Sequence, residues 1–221
     1  IKLKYPQFDL VNINFESNNN FSFNINNKFK IKNLAINSNI LIDSSKLKKN
    51  NLISKYFIKI NDIIDLKDHK IKASYSNKKL SIEGKGQVKL QDKFELIDYQ
   101  MMNKGSDLNL ISNLNLSELN FENQNLIKEY LPKTKDILSL KDQKIQINYK
   151  DNTISLEGSG KIKLQKEFNK KKYFFSSKNK TYNFEIDLGI NDTILKIDSI
   201  NYKKDKNLNS QLKINGNYNK K

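Results

Sequence analysis

The sequence predicts an all-β, mainly antiparallel protein. It should be an elongated curved sheet forming a groove or half-pipe, built from tandem repeats of about 74 residues with short helical connectors. Three observations lead there. Apolar and polar residues alternate with period two over long stretches, as in strands with one buried face. The text of the chain recurs at a constant offset. The apolar share, 37% of 221 residues, falls below that of ordinary globular domains and points to a thin structure with much exposed surface.

The recurrence sets the unit. Residues 34–94 laid on 108–168 match at 24 of 61 positions without a gap. The shared phrases include Asp62-Ile63-x-x-Leu66-Lys67-Asp68-x-Lys70-Ile71 with Asp136-Ile137-x-x-Leu140-Lys141-Asp142-x-Lys144-Ile145, and Glu83-Gly84-x-Gly86 with Glu157-Gly158-x-Gly160. A fainter third register joins Leu34, Ile36, Ile40 and Ile42 to Leu108, Leu110, Leu114 and Leu116, then to Tyr182, Phe184, Leu188 and Ile190. The chain is accordingly divided into a partial first repeat at 1–60, a second at 61–134, and a third at 135–221 with extra C-terminal strands.

Within a unit, strands are expected near 62–66, 70–75, 80–90, 94–102 and 107–116. Ile71, Ala73 and Tyr75 point inward; after a turn at 76–79 the inward set resumes at Leu80, Ile82, Val88 and Leu90. Lys72, Ser74, Ser81, Glu83, Lys85, Gln87 and Lys89 stand between them and face water. The second copy repeats the pattern with Ile145, Ile147, Tyr149, Ile154, Leu156, Ile162 and Leu164 inward. These inward residues, Ala73 apart, are the predicted groove lining, and the hairpins 71–90 and 145–164 should lie in one continuous sheet. Gly84, Gly86, Gly158 and Gly160 fall on inward positions with no side chain, where they should bend the sheet and leave open space. Phe94 and Phe168 should begin the following strand and fill the bend.

The connector 125–131 has helical spacing and stops at Pro132, whose missing N–H and ring forbid continuation. After Ile190, strands at 194–202 and 208–218 stand where a connector would be expected. No long amphipathic helix is available to cover the apolar face, so the sheet must cover itself as a sandwich, a barrel or a half-pipe; tandem units favour the elongated form.

Charge and chemistry narrow the function. The formal charge is +16, but the cations are all Lys and are spread along the strands, so bidentate recognition of bases or phosphates by Arg is absent. Alternation with apolar residues places these lysines on a convex wet face, with only weak, salt-sensitive attraction to nucleic acid and no nucleic-acid partner. Zero Cys excludes disulfides and thiolate metal sites. The chain opens Ile1-Lys2-Leu3, carries no signal segment and no run of eighteen apolar residues, and reads as an excerpt of a longer protein.

The sole imidazole, His69, has Gln143 as its counterpart and is expected in a polar surface turn, not as a base or ligand. Asp62, Asp136, Glu83 and Glu157 recur among lysines as ion pairs or turn caps. Gly84-x-Gly86 lacks the third glycine and following helix of a dinucleotide loop. No catalytic residue, metal site or cofactor is predicted, and the chain is not expected to be an enzyme.

The repeated unit, the Asp-Ile-x-x-Leu-Lys-Asp-x-Lys-Ile phrase, the Glu-Gly-x-Gly strand and the tail from Asn201-Tyr202-Lys203-Lys204 to Leu212-Lys213-Ile214-Asn215-Gly216 resemble the AsmA-like proteins of bacteria with AT-rich genomes. That family is related to TamB within the bridge-like, repeating β-groove lipid-transfer group. The resemblance implies a periplasmic half-pipe, anchored to the inner membrane by a segment outside this chain. Its groove would shield phospholipid acyl chains on the way to the outer membrane. The alternative is a structural or adhesive β-repeat with a closed interior and no lipid cargo. The empty glycine positions favour the groove, since a closed interior would want them filled.

Overall fold

Period-two alternation becomes strand almost everywhere it occurs. The computed structural model describes residues 10–48, 62–123, 125–178 and 180–219. In chain order they form β1 (Leu10–Ile25), β2 (Ile31–Lys48), β3 (Ile63–Ser76), β4 (Lys79–Lys89), β5 (Phe94–Lys104), β6 (Asp107–Glu122), α1 (Asn125–Tyr130), β7 (Ile137–Lys150), β8 (Thr153–Lys163), β9 (Phe168–Lys178), β10 (Thr181–Gly189), β11 (Leu195–Ile197), β12 (Tyr202–Lys204) and β13 (Gln211–Asn219). Eleven strands make one sheet in the order β1 to β10 followed by β13, while β11 and β12 pair separately. The hairpins β3–β4 and β7–β8 therefore belong to the same sheet.

Tight turns follow the local chemistry. Asn77 and Lys78 take φ of 50° and 60°, and Asp151 and Asn152 take 50° and 58°. Two consecutive left-handed residues make the turn whose twist suits an antiparallel hairpin, and Asn and Asp enter that region at low cost.

Two expectations about strands are corrected. The segments 62–66 and 70–75 are not separate: β3 runs through both. Asp68, at φ 54°, carries the break, because Lys67 pairs with Gln87 and Lys70 with Lys85, so two residues oppose Gly86 alone. An extra residue in a bulge kinks a strand without ending it. The stretch 194–202 is likewise not one strand. Short β11 leads into a 3-10 turn at Asp198–Ile200, closed by the left-handed Asn201, before β12.

The described residues fall into two compact units. The first comprises 10–48, 62–114 and 147–152; the second comprises 115–123, 125–146, 153–178 and 180–219. These divisions differ from the three sequence segments, because they follow strand-to-strand packing and not recurrence.

In the first unit the buried apolar side chains Ile64 and Val88 lie where β3 begins and β4 ends, with Leu47, Leu66, Leu90, Ile97 and Leu114 around them. Toward the β3–β4 turn the same face grows more exposed. In the second unit Leu138, Leu140, Ile162, Leu164 and Leu188 are buried, as are Leu131 of the connector and Leu195 of β11. Gln165 stitches this end together. Its Nε2 donates to the Pro132 carbonyl at 2.5 Å and the Ile194 carbonyl at 3.3 Å, and its Oε1 accepts from the Ile194 N–H at 3.2 Å.

Candidate functional site

In a sheet, register decides which side chains meet. Ser17 pairs with Ile40, Ile40 with Ile71, Ile71 with Gly84 and Gly84 with Tyr99, so one row crosses β1 to β5 on a single face. A trough of about 850 Å³ in the first unit is bordered by this row and by the polar residues on either side of it, among them Lys70, Lys72, Glu83, Lys85 and Asp98, and of the predicted groove lining only Ile71 belongs to it. Ala73, Ile82 and Met101 form the next row, and Tyr75, Leu80 and Asn103 the one after. Of the predicted lining residues, Ile71, Tyr75, Leu80, Ile82 and Leu90 are half-buried and only Val88 is buried.

In the second unit, Ile154, Leu156 and Ile162 share the face of Gly158 and Gly160. Ile162 is buried, Leu156 and Ile145 are half-buried, and Ile154 is exposed. Leu164 lies just past β8, buried, with its carbonyl accepting from the Lys135 N–H at 3.2 Å. Ile147 and Tyr149 fall in the first unit, half-buried.

The glycines do not leave open space, which corrects the expectation. A Cβ on Gly84 would stand 2.4 Å from the Tyr99 ring, and one on Gly158 would stand 2.3 Å from Tyr173. At Gly86 the occupant is His69, at 2.4 Å, and at Gly160 it is Gln143, at 2.1 Å. Each glycine is a seat for a neighbouring side chain. Burial of these phenols raises the pKa of Tyr99 and pushes that of Tyr173 up to about 12, since the charged form would be poorly solvated.

His69 is corrected with them. It is not in a surface turn but inside β3, 4% exposed, because the bulge at Asp68 turns the next side chain onto the apolar face. Its Nε2 donates to the Gln87 carbonyl at 3.0 Å, which leaves Nδ1 to accept from the Tyr99 hydroxyl at 3.4 Å. Gln143, 1% exposed, does the same work: its Nε2 donates to the Lys161 carbonyl at 2.9 Å and the Lys141 carbonyl at 2.7 Å. An amide replaces the imidazole, so the position requires a planar donor that fills a glycine seat, not a titratable base.

Phe94 and Phe168 begin β5 and β9 as expected but do not fill the bend. Phe94 pairs with Lys89 on the polar face, and Lys67 and Lys89 lie 5.8 and 5.9 Å from its ring centroid. Lys141 and Lys163 hold Phe168 the same way at 5.6 and 5.4 Å. At these distances the ammonium groups are within cation–π reach of the ring faces.

The lysines are not all on the wet face either. Lys171 pairs with Gly160 and Leu188, which puts it on the apolar side, its Nζ 4.5 Å from the Tyr173 centroid. Burial lowers its pKa to about 8. Lys204 is 2% exposed, and its Nζ reaches the carbonyls of Ile190 (2.7 Å), Asn191 (3.1 Å), Thr193 (3.0 Å) and Asp205 (2.9 Å). Three N–H donors serve four acceptors, so one bond is shared. Lys171 had a sequence signal, since the 74-residue offset lays it on the apolar Ile97. Lys204, at the end of the short β12, had none.

Among the recurrent acids, Asp136 bonds to Lys128, which holds its carboxyl below the usual range. Among the described residues no three of His, Asp and Glu converge as metal ligands.

No protein-family model matches the chain, no curated protein matches it, and no solved structure does.

Proposed function

We propose that this chain is a segment of a periplasmic, AsmA-like bridge protein whose repeating units form an apolar groove that shields phospholipid acyl chains between the inner and outer membranes. The observation that carries this is the state of the first unit's apolar face. Its predicted lining residues are collected on one side of the sheet, yet all but Val88 remain only half-buried. Such a surface gains by accepting an apolar guest. A sixteen-carbon acyl chain in water is opposed by roughly 12 kcal/mol, and continuous apolar cover removes most of that. A repeated unit is supported by the strand starts: β3, β4 and β5 begin at Ile63, Lys79 and Phe94, and β7, β8 and β9 begin 74 residues later at Ile137, Thr153 and Phe168.

The glycine seats filled by Tyr99, Tyr173, His69 and Gln143 favour the second reading, a structural β-repeat closed by its own side chains. That reading leaves the half-exposed Ile71, Leu80 and Ile82 without a role.

Native mass spectrometry of the purified chain should find phospholipid bound. Photo-crosslinkers should capture lipid at Ile82, whose partners are Ala73 and Met101, and not at Lys85, whose partners are Lys70 and Asp98 on the opposite face. Capture at Lys85 and none at Ile82, or no lipid at either, would sink the proposal.

A further inference from the structure

The β1–β2 hairpin outruns its neighbour. β2 pairs with β3 only from Ile36 onward, while β1 and β2 stay paired to Ile25 and Ile31. Residues 31–35 therefore continue past the end of β3 by about 16 Å at the usual rise per residue. The finger is two-faced. Phe21, Phe23, Ile25 and Ile31 are exposed on the side that carries Ile40 and Ile71, and Asn24 and Lys32 pair on the other.

Its tip is built, not loose. The Asn26 side chain accepts from the N–H groups of Lys28 at 3.1 Å and Lys30 at 2.9 Å, and the Asn26 carbonyl accepts from Phe29 at 2.9 Å. This loop holds Phe29 at φ 54° and 91% exposed. A bulky residue seldom takes that conformation, and here it displays a phenyl ring at the apex. Lys28 and Lys30 flank Phe29 in the chain and Lys32 follows, and residues 17–42 contain no Asp or Glu.

We propose that this hairpin is a membrane-contacting finger: Phe29, with Phe23, Ile25 and Ile31, enters the interfacial region of an anionic phospholipid bilayer, while Lys28, Lys30 and Lys32 meet the lipid phosphates. Aromatic and aliphatic side chains flanked by cations, with no acid among them, complement a surface that is apolar beneath and negative at its face. A narrow apex suits a yielding bilayer better than a flat protein partner, which binds broad complementary patches. The finger does not depend on the lipid-carrier reading, since a chain that carried no lipid would still dock by it.

The test is sedimentation of the 221-residue chain with phosphatidylcholine vesicles, with and without phosphatidylglycerol. Binding should require phosphatidylglycerol. Phe29→Gly, which suits the left-handed backbone and so spares the fold, should lower the partition coefficient about tenfold. Lys28→Ala, Lys30→Ala and Lys32→Ala together should lower it about a hundredfold, against a much smaller loss for Lys85→Ala with Lys89→Ala on the sheet body. Undiminished binding by the finger variants, equal loss in the body variant, or equal binding to phosphatidylcholine alone would overturn the proposal. So would an absence of vesicle binding together with self-association that Phe29→Gly abolishes, which would assign the finger to a second copy of the chain.

Discussion

In the first unit His69 sits over Gly86 and Tyr99 over Gly84; in the second, Gln143 sits over Gly160 and Tyr173 over Gly158. The two seats keep their tyrosine and change their other occupant from imidazole to amide. Both occupants donate to the backbone carbonyl of the residue just before a buried apolar one, Gln87 before Val88 in one unit and Lys161 before Ile162 in the other. What is held constant is a backbone demand. One row position is not held: Ile97, paired with Gly86, belongs to the first unit's core, and Lys171, paired with Gly160, is a cation on the second unit's apolar face. The second unit also closes its end with β11, β12 and Lys204.

That closure is the place to break the comparison most severely. Lys204→Met should cost about 3–5 kcal/mol, because it keeps the stem but leaves up to four buried carbonyls without their donor. Urea unfolding should show the loss, with the first unit's His69–Gln87 contact still intact by NMR. A change below about 1 kcal/mol would mean water replaces the ammonium.

The seats give the next effect. A Cβ on Gly160 meets the Asp142 backbone carbonyl at 2.9 Å as well as Gln143, whereas the three nearest atoms at Gly86 all belong to the His69 ring. Side chains yield more readily than backbone, so Gly160→Ala should destabilise by about 3 kcal/mol and Gly86→Ala by about 2 kcal/mol. The reverse order in chemical denaturation would show that the backbone at Asp142 yields more readily than the His69 ring.

The smallest effect is the pH dependence of Lys171. Its folded pKa, about 8, lies below the ordinary 10.5. Below pH 8 both folded and unfolded chains are protonated, and the folded state carries the cost of the desolvated ammonium. Between pH 8 and 10.5 only the unfolded chain holds the proton, so stability rises with pH by roughly 1–3 kcal/mol. Gly160 and Leu188, opposite it, do not titrate, and Tyr173 titrates above the window. The stability of the parent chain minus that of Lys171→Met should therefore grow from pH 7 to pH 10, and a flat difference would place Lys171 in solvent.

Alternation was enough to find the strands and the face of Ile71, Ile82, Leu156 and Ile162, because a pleat exposes every second residue to the same side whatever its neighbours are. Asn77, Asp151 and Pro132 likewise act within a few residues, so the turns and the end of α1 were legible. His69 was misplaced for the opposite reason. Its polar neighbours Asp68 and Lys70 read as a turn, and only pairing with β4 shows that two residues face Gly86 and that the imidazole turns inward.

Composition, period and offset by themselves determined an antiparallel β protein with one apolar face. Tertiary structure alone decided how that face is used. It seated tyrosine, histidine and glutamine over glycines, withdrew Lys204 into a cage of carbonyls, put Lys171 among apolar groups, and carried the β1–β2 hairpin beyond β3. Each of these depends on which residues of distant strands stand opposite one another. Register is set by long-range pairing and bulges, to which a local alternation of residue types is blind.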